Sequence, residues 1–156
     1  MWGITNIIFS LISVVVAITL HEFGHGYVSW KLGDPTPERE NRLSLNPLNH
    51  LDLFGTLCLF FFGFGWARPV QVNPQYYNNK KQGMVLTALA GPLMNFLVAF
   101  ICGLFIMLNI IPELFYQMMI INIGLGVFNL LPISPLDGSN NILISERKGY
   151  PSFRIV

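Results

Sequence analysis

Three long apolar runs constrain the fold of this chain more than any other feature of its sequence. They cover about residues 4–30, 84–111 and 114–131, and each is long enough for a helix to cross the hydrocarbon of a bilayer. Of the 156 residues, 53% are hydrophobic and 11% are charged, well outside the averages of soluble proteins. The sequence therefore predicts a single-domain, all-α integral membrane protein with three core transmembrane helices.

A shorter apolar segment lies between the first and second runs. Residues 51–66 are rich in Phe but interrupted by Gly55, Gly63 and Gly65, and they are too short for a full span. Irregular backbone at membrane depth has to pair with protein or line a cavity. We therefore predict a re-entrant or interfacial hairpin within about 51–83, and an aqueous polar tail at 139–156.

The placement of Lys and Arg predicts the orientation of the chain across the membrane. Six of the nine fall in residues 31–83 and three fall after Gly138, whereas the connection at Pro112-Glu113 has none. The positive-inside rule places the loop and the tail in the cytoplasm. The first and third spans then end on the cytoplasmic side.

Several other classes of protein are disfavoured. The net charge of +1, without a Lys/Arg-rich run, argues against a nucleic-acid partner. Cys58 and Cys102 lie in apolar runs and are interpreted as packing residues rather than as a disulfide framework. The stretch from Ile4 to Leu20 lacks a basic n-region and leads into a metal-binding pattern, so we expect it to remain as a span rather than to act as a cleaved signal.

That pattern is His21-Glu22-Phe23-Gly24-His25, near the end of the first run. Histidines four residues apart return to one face of a helix, so both imidazoles can reach a single metal ion. Glu22, beside that ion, can take a proton from a water that the metal activates. The pattern also arises by chance on soluble helices, but ionisable groups in hydrocarbon are rarely kept without a partner, and a divalent cation would be one.

A catalytic zinc usually has three protein ligands and one open position. Asp137 is our choice for the third ligand, because it follows the third span on the same side as His25 and precedes a glycine that permits close approach. An ordinary turn or capping aspartate is the alternative for this residue. Glu113 lies on the wrong side, and His50 and Asp52 are expected to form hydrogen bonds beside the re-entrant segment. We predict one zinc ion per chain.

Asn95 is the polar residue of the second span. An amide in hydrocarbon serves either helix packing or function, and the sequence leaves both open. Near the zinc, its amide could bind the carbonyl oxygen of a substrate as charge develops, an oxyanion-hole role. Asn122 and Asn129 raise the same question with weaker support.

Three motifs in order resemble those of the site-2 protease family of intramembrane zinc metalloproteases. Besides the zinc motif, Gly91-Pro92-Leu93-Met94-Asn95 resembles the family's Gly-Pro-x-x-Asn motif, and residues 128–138 resemble its Asn-x-x-Pro…Leu-Asp-Gly element. The resemblance implies zinc held by His21, His25 and Asp137, with Glu22 as general base and Asn95 near the substrate. It also implies that transmembrane segments of other proteins are cut within or at the edge of the bilayer.

Two further segments resemble those of one branch of this family. Asn49-His50-Leu51-Asp52 and residues 65–70 are similar to the compact bacterial and archaeal branch, which lacks a PDZ domain, and this implies a prokaryotic cytoplasmic membrane. The placement of Lys and Arg then predicts an active site toward the cytoplasm. Compact members usually continue past the Leu-Asp-Gly element into at least one further membrane helix, whereas this sequence stops at Val156. The sequence therefore predicts a truncated or shortened member of the branch.

The leading hypothesis is a protease whose partners are the lipid bilayer and transmembrane protein substrates. The alternative from another class is a catalytically inactive, zinc-stabilised membrane scaffold that binds substrates or partners, and the intact Glu22 favours the enzyme. A metal transporter would place ionisable residues at midplane on several helices, whereas the proposed ligands gather toward one side. The sequence names neither the substrate nor an oligomeric state.

Overall fold

The computed structural model describes residues 3–62, 68–131 and 153–154. In chain order its helices are α1 (Ile4–Lys31), α2 (Thr36–Arg39), α3 (Leu53–Phe62), α4 (Lys80–Met107) and α5 (Pro112–Leu130). Three of them, α1, α4 and α5, are long and apolar enough to cross a membrane. This confirms the predicted all-α class and the three transmembrane helices of an integral membrane protein.

The second span differs from its predicted bounds of 84–111 at both ends. The side chain of Asn79 accepts a hydrogen bond from the backbone N–H of Gln82 at 3.0 Å, so this cap starts α4 at Lys80, within the polar segment. At the other end, Asn109 and Ile111 adopt left-handed backbone with φ of 56° and 36°. The chain thus turns into α5 while the sequence is still apolar, which is why hydropathy alone extends this span too far.

Between α1 and α4 the chain forms α2, two 3₁₀ turns at Pro47–Asn49 and Pro74–Tyr76, and α3. The helix α3 covers the first part of the predicted re-entrant hairpin. Residues 63–67, where the hairpin would turn, lie outside the described residues, so the hairpin stays a prediction.

The expected hydrogen-bonding roles of His50 and Asp52 are confirmed. The Nε2 of His50 donates to the backbone oxygen of Ser44 at 2.6 Å, and Asp52 Oδ1 accepts from the backbone N–H of Gly55 at 2.8 Å. The latter bond satisfies an N–H group in the first turn of α3. Both residues therefore stabilise the loop before this helix.

A stripe of small and polar side chains on α1 forms its buried face. These residues recur every four positions: Ser13, Ala17, His21, His25 and Ser29. Small residues let neighbouring helices approach closely in a membrane; a Cβ added to Gly24 would lie 2.9 Å from the backbone oxygen of Ala90 on α4. Large apolar side chains such as Ile4, Ile8 and Ile12 are exposed on α1, which suits a surface facing lipid. The close contact of α1 with α4 brings the polar stripe into the protein interior.

Arg42 connects the loop to the segment before the first strand. Its side chain is only 1% exposed, and its Nη1 donates to the backbone oxygens of Asn49 at 2.5 Å and of Arg68 at 3.2 Å. Burial, followed by the nearby positive charge of Arg68, lowers the pKa of Arg42. These bonds fix residues 68–70 against the loop.

The first strand, β1 (Gln71–Val72), pairs antiparallel with β2 (Phe153–Arg154), with Gln71 opposite Arg154 and Val72 opposite Phe153. Val70 and Val72 are fully buried beside Tyr77 and Met84. This small cluster holds β1 near the end of α1 that carries the histidines.

Candidate active site

His21 and His25 meet in the interior between α1 and α4. Their side chains are 4% and 0% exposed, and their Nε2 atoms lie 3.0 Å apart. The two rings are nearly perpendicular, at 85°. Two imidazole nitrogens this close, on one face of a helix, can bind the same metal ion.

The other nitrogen of each ring is engaged by α4. His25 Nδ1 lies 2.7 Å from the backbone oxygen of Thr87, and His21 Nδ1 lies 2.5 Å from Oδ1 of Asn95. A carbonyl oxygen only accepts, so Nδ1 carries the proton and Nε2 keeps its lone pair. Metal-binding histidines typically show this arrangement, with the second ring nitrogen donating to an acceptor. The two imidazoles therefore fit a divalent metal such as zinc.

Gly91 provides the space that the two rings occupy. A Cβ added at this position would clash with Nε2 of His25 and would lie 2.7 Å from Cε1 of His21. Real Cβ atoms essentially never approach other atoms so closely. The glycine of the Gly91-Pro92 pair is therefore required by the packing of the two histidines.

Glu22 is held by the segment that leads into β1. Its carboxylate is buried, with the residue 5% exposed, and Oε2 accepts a hydrogen bond from the backbone N–H of Val70 at 3.0 Å. A charge-assisted bond of this kind fixes the position of a carboxylate. The structure thus places an oriented acid–base group next to the first histidine in the chain.

Asp137, the predicted third ligand, lies outside the described residues. Within the part of the chain that the structure describes, no group of three or more His, Cys, Asp or Glu residues could hold a metal ion. The assignment of Asp137 therefore stays a prediction, and the described residues supply two ligands of the predicted three.

Asn95 is fully buried and lies against the ring of His21. Its Nδ2 donates to the backbone oxygen of Ala17 at 3.1 Å and to Oδ1 of Asn122 at 2.8 Å. Both amide hydrogens are therefore engaged. The oxyanion role stays a prediction, and it would require Asn95 to exchange one of these acceptors for the substrate. Asn129 instead donates to the backbone oxygen of Leu125 at 3.0 Å.

The backbone groups of the site, the Thr87 oxygen and the Val70 N–H, could not be predicted from the sequence, because almost any residue type can supply them.

A buried polar network behind Thr87 was not predicted either. Asp34 accepts from Ser29 Oγ at 2.8 Å, Ser29 contacts the Tyr77 hydroxyl at 2.7 Å, and that hydroxyl contacts Thr87 Oγ1 at 3.2 Å. Burial raises the pKa of Tyr77. The polar residues Ser29 and Asp34, at the end of the first apolar run, were the sequence feature that could have indicated this network.

A polar cavity of about 330 Å³ lies beside the Val70 segment. Its lining residues are Glu40, Arg42, Arg68, Pro69 and Gln71. Pro69 and Gln71 flank Val70 in the chain, so the cavity adjoins the residue whose N–H holds Glu22.

The sequence of the chain is similar to those of several known proteins. The chain is 39% identical to "Putative zinc metalloprotease YwhC" of Bacillus subtilis over 82% of its length, and 27% identical to "Zinc metalloprotease MJ0392" of Methanocaldococcus jannaschii over 89%. It is 31% identical over 88% of its length to "Putative zinc metalloprotease MJ0611" of the same archaeon, and it covers 70% of that relative. The chain belongs to the compact, site-2 protease-like family of zinc metalloproteases.

The chain covers only part of the length of the relatives that it matches. The chain spans 64%, 35% and 70% of the lengths of these three relatives, in the order given. No family model and no solved structure matches the chain. Membership therefore rests on the curated relatives.

Proposed function

We propose that this chain is the core of an intramembrane zinc metalloprotease that hydrolyses peptide bonds in or near transmembrane segments of other membrane proteins. The observation that carries the proposal is the pair of buried Nε2 atoms, 3.0 Å apart, with the oriented carboxylate of Glu22 between the two histidines in the chain. The relatives' names support zinc and peptide hydrolysis. The three apolar helices support a site within the membrane.

His21 and His25 would hold one zinc ion through Nε2, and Asp137 would supply the third ligand. Bound there, zinc polarises the scissile carbonyl and lowers the pKa of water enough for attack near neutral pH. Asn95 and Thr87 on α4 fix the two imidazoles through their Nδ1 atoms. Hydrogen bonds of this kind orient the imidazole rings that bind a metal.

Glu22 acts as the general base in this proposal. Its carboxylate accepts a proton from the attacking water and then delivers that proton to the nitrogen of the leaving amine. The hydrogen bond from Val70 holds Oε2 in position during both transfers.

The segment around Gly65 to Asn73 would bind the opened substrate. A helical substrate must unwind first, because its carbonyls are occupied by its own hydrogen bonds. The strand β1 begins one residue after Val70, and it already pairs with the antiparallel β2 of the same chain. An extended peptide could add to β1 in the same manner. Substrates with Gly, Pro or Asn near the cleaved bond should therefore be preferred.

The proposed location is the cytoplasmic membrane of a prokaryote, with the site toward the cytoplasm. The Lys and Arg residues on the loop after α1 and on the tail support this orientation.

The test uses the purified full chain and a library of single-span fusion proteins with varied 20-residue membrane segments. Wild-type protein should contain one zinc per chain and release fragments cut in or near those segments, and a Glu22→Gln variant should retain zinc and release few. Zinc binding and substrate capture without any cleavage would favour the scaffold instead. Absence of zinc would contradict both.

A further inference from the structure

Asn122 on α5 has no assigned role in the proposed chemistry, yet its side chain is fully buried and engaged at both ends. Its Oδ1 accepts from Asn95 at 2.8 Å, and its Nδ2 donates to the backbone oxygen of Met118 at 2.8 Å. We propose that Asn122 is a positioning residue of the metal centre: it fixes the amide of Asn95 and thereby the ring and tautomer of His21. The inference rests on the proposed metal site.

Two backbone carbonyls set the direction of this chain of hydrogen bonds. The oxygen of Met118 can only accept, so the NH₂ group of Asn122 faces it and Oδ1 faces Asn95. The oxygen of Ala17 likewise requires the NH₂ group of Asn95. Asn95 Oδ1 is then left toward His21, whose Nδ1 must donate. The Nε2 of His21 keeps the lone pair that binds a metal.

The two histidines differ in how they are held. His25 Nδ1 donates to the Thr87 carbonyl, which belongs to the main chain of α4 and needs no side chain to orient it. His21 Nδ1 donates to an amide side chain that could rotate about its own χ angles. An additional contact from α5 restricts that rotation, and Asn122 provides it.

The hydrogen bond between Asn122 and Asn95 is hard to replace because its surroundings are buried. All three atoms involved, Asn122 Oδ1, Asn95 Nδ2 and His21 Nδ1, belong to residues that are at most 4% exposed. Because Asn95 and Asn122 are fully buried, an unpaired N–H on Asn95 would draw the amide toward another partner. The ring of His21 would then lose its fixed acceptor. Loss of such outer partners typically weakens metal binding by about 10- to 100-fold.

The experiment measures zinc affinity of the purified full chain by competition with a chromophoric chelator. Asn122→Leu removes the acceptor at similar size, and we expect zinc affinity about 10- to 100-fold weaker than that of wild type. Asn122→Asp keeps an oxygen acceptor for Asn95 and should recover most of the affinity. The control is Gln117→Leu on the same helix, which removes another amide that accepts across helices, from Ser10 at 3.1 Å; its affinity should equal that of wild type.

A second readout is independent of zinc and of activity. In zinc-free protein, ¹⁵N chemical shifts should show His21 protonated at Nδ1 in wild type and in Asn122→Asp, and a mixture of tautomers in Asn122→Leu. If the Leu variant does not fold, Asn122→Ser replaces it, because a serine hydroxyl bonds back to the Met118 oxygen and does not reach Asn95.

Unchanged zinc affinity and an unchanged His21 tautomer in the Leu or Ser variant would overturn the inference. An equal loss of affinity in Gln117→Leu would also overturn it, since the effect would then be one of helix packing. A wild-type chain that bound no zinc would contradict the proposed function instead. The tautomer of His21 in that zinc-free chain would still decide whether Asn122 acts through Asn95.

Discussion

The carboxylate of Glu22 accepts a hydrogen bond from the backbone N–H of Val70, at 3.0 Å and 48 residues further along the chain. This bond joins the membrane helix that carries the metal motif to the segment that enters β1. The orientation of the proposed base is therefore set by a loop segment rather than by α1 alone.

The bond makes Glu22→Gln an informative variant. A glutamine oxygen can still accept from Val70, so the local geometry should be retained, but an amide cannot take a proton from water. We expect cleavage to fall by roughly 10²–10⁴-fold while zinc content stays unchanged. The measurement is initial cleavage rate alongside metal analysis of the same preparation. Undiminished cleavage would remove Glu22 as the base.

The ligand assignment predicts a graded loss of metal. His25→Ala removes an imidazole whose Nε2 lies 3.0 Å from that of His21 and should abolish stoichiometric zinc. Asp137→Ala should weaken retention, seen as faster loss of zinc to a chelator. Zinc retention equal to wild type in the Asp137 variant, with loss in the His25 variant, would require another third ligand.

Substitution of Gly91 should disturb the packing of the two histidines. In Gly91→Ala the new Cβ would have to displace both imidazole rings, and overpacking of this kind typically costs about 1–3 kcal/mol. We expect a lower unfolding temperature in detergent and reduced zinc content. Gly124→Ala is the matched control, because nothing lies within 4 Å of a Cβ at that helical position. Equal behaviour of the two variants would contradict the packing argument.

The orientation can be tested with two exposed carboxylates. In a background lacking Cys58 and Cys102, Glu38→Cys lies on the loop after α1 and Glu113→Cys lies at the connection of α4 and α5. A membrane-impermeant thiol reagent applied to intact cells should label only the Glu113→Cys protein. The reverse pattern would move the proposed active site to the outer face.

We expect the free energy of unfolding to decrease in acid because of His50. Burial, as the largest cause, lowers the pKa of His50 below its usual value of about 6.5. As the pH falls through that usual value, the unfolded chain binds a proton that the folded chain does not, so stability decreases toward acid and increases toward neutral pH.

The comparison variant is His50→Gln, which keeps a side-chain N–H able to donate to the Ser44 oxygen. The unfolding temperature of wild type should drop more between about pH 7.5 and pH 5.5 than that of the variant. His21 and His25 are common to both proteins and affect them alike. An identical pH response would show that His50 titrates in the same way in the folded and unfolded states.

The three spans and the pairing of His21 with His25 could be predicted from the sequence, because hydropathy and helical periodicity are local properties. The start of α4 at Lys80 depends on a single cap by Asn79, which hydropathy does not register. The contact of Asn95 with His21 joins residues 74 positions apart and depends on the rotation of α4 against α1. A composition-based argument could recognise that Asn95 needs a partner but could not choose which one.

The partners of both histidines lie on α4, 62 and 74 residues downstream, and this has a consequence for biogenesis. At a synthesis rate of about 5–20 residues per second, the acceptors for His25 and His21 are made roughly 3–15 s after the imidazoles themselves. During that interval the two imidazole rings on α1 lack the acceptors that fix their tautomers. The ordered arrangement of the two histidines can therefore form only after α4 has inserted beside α1.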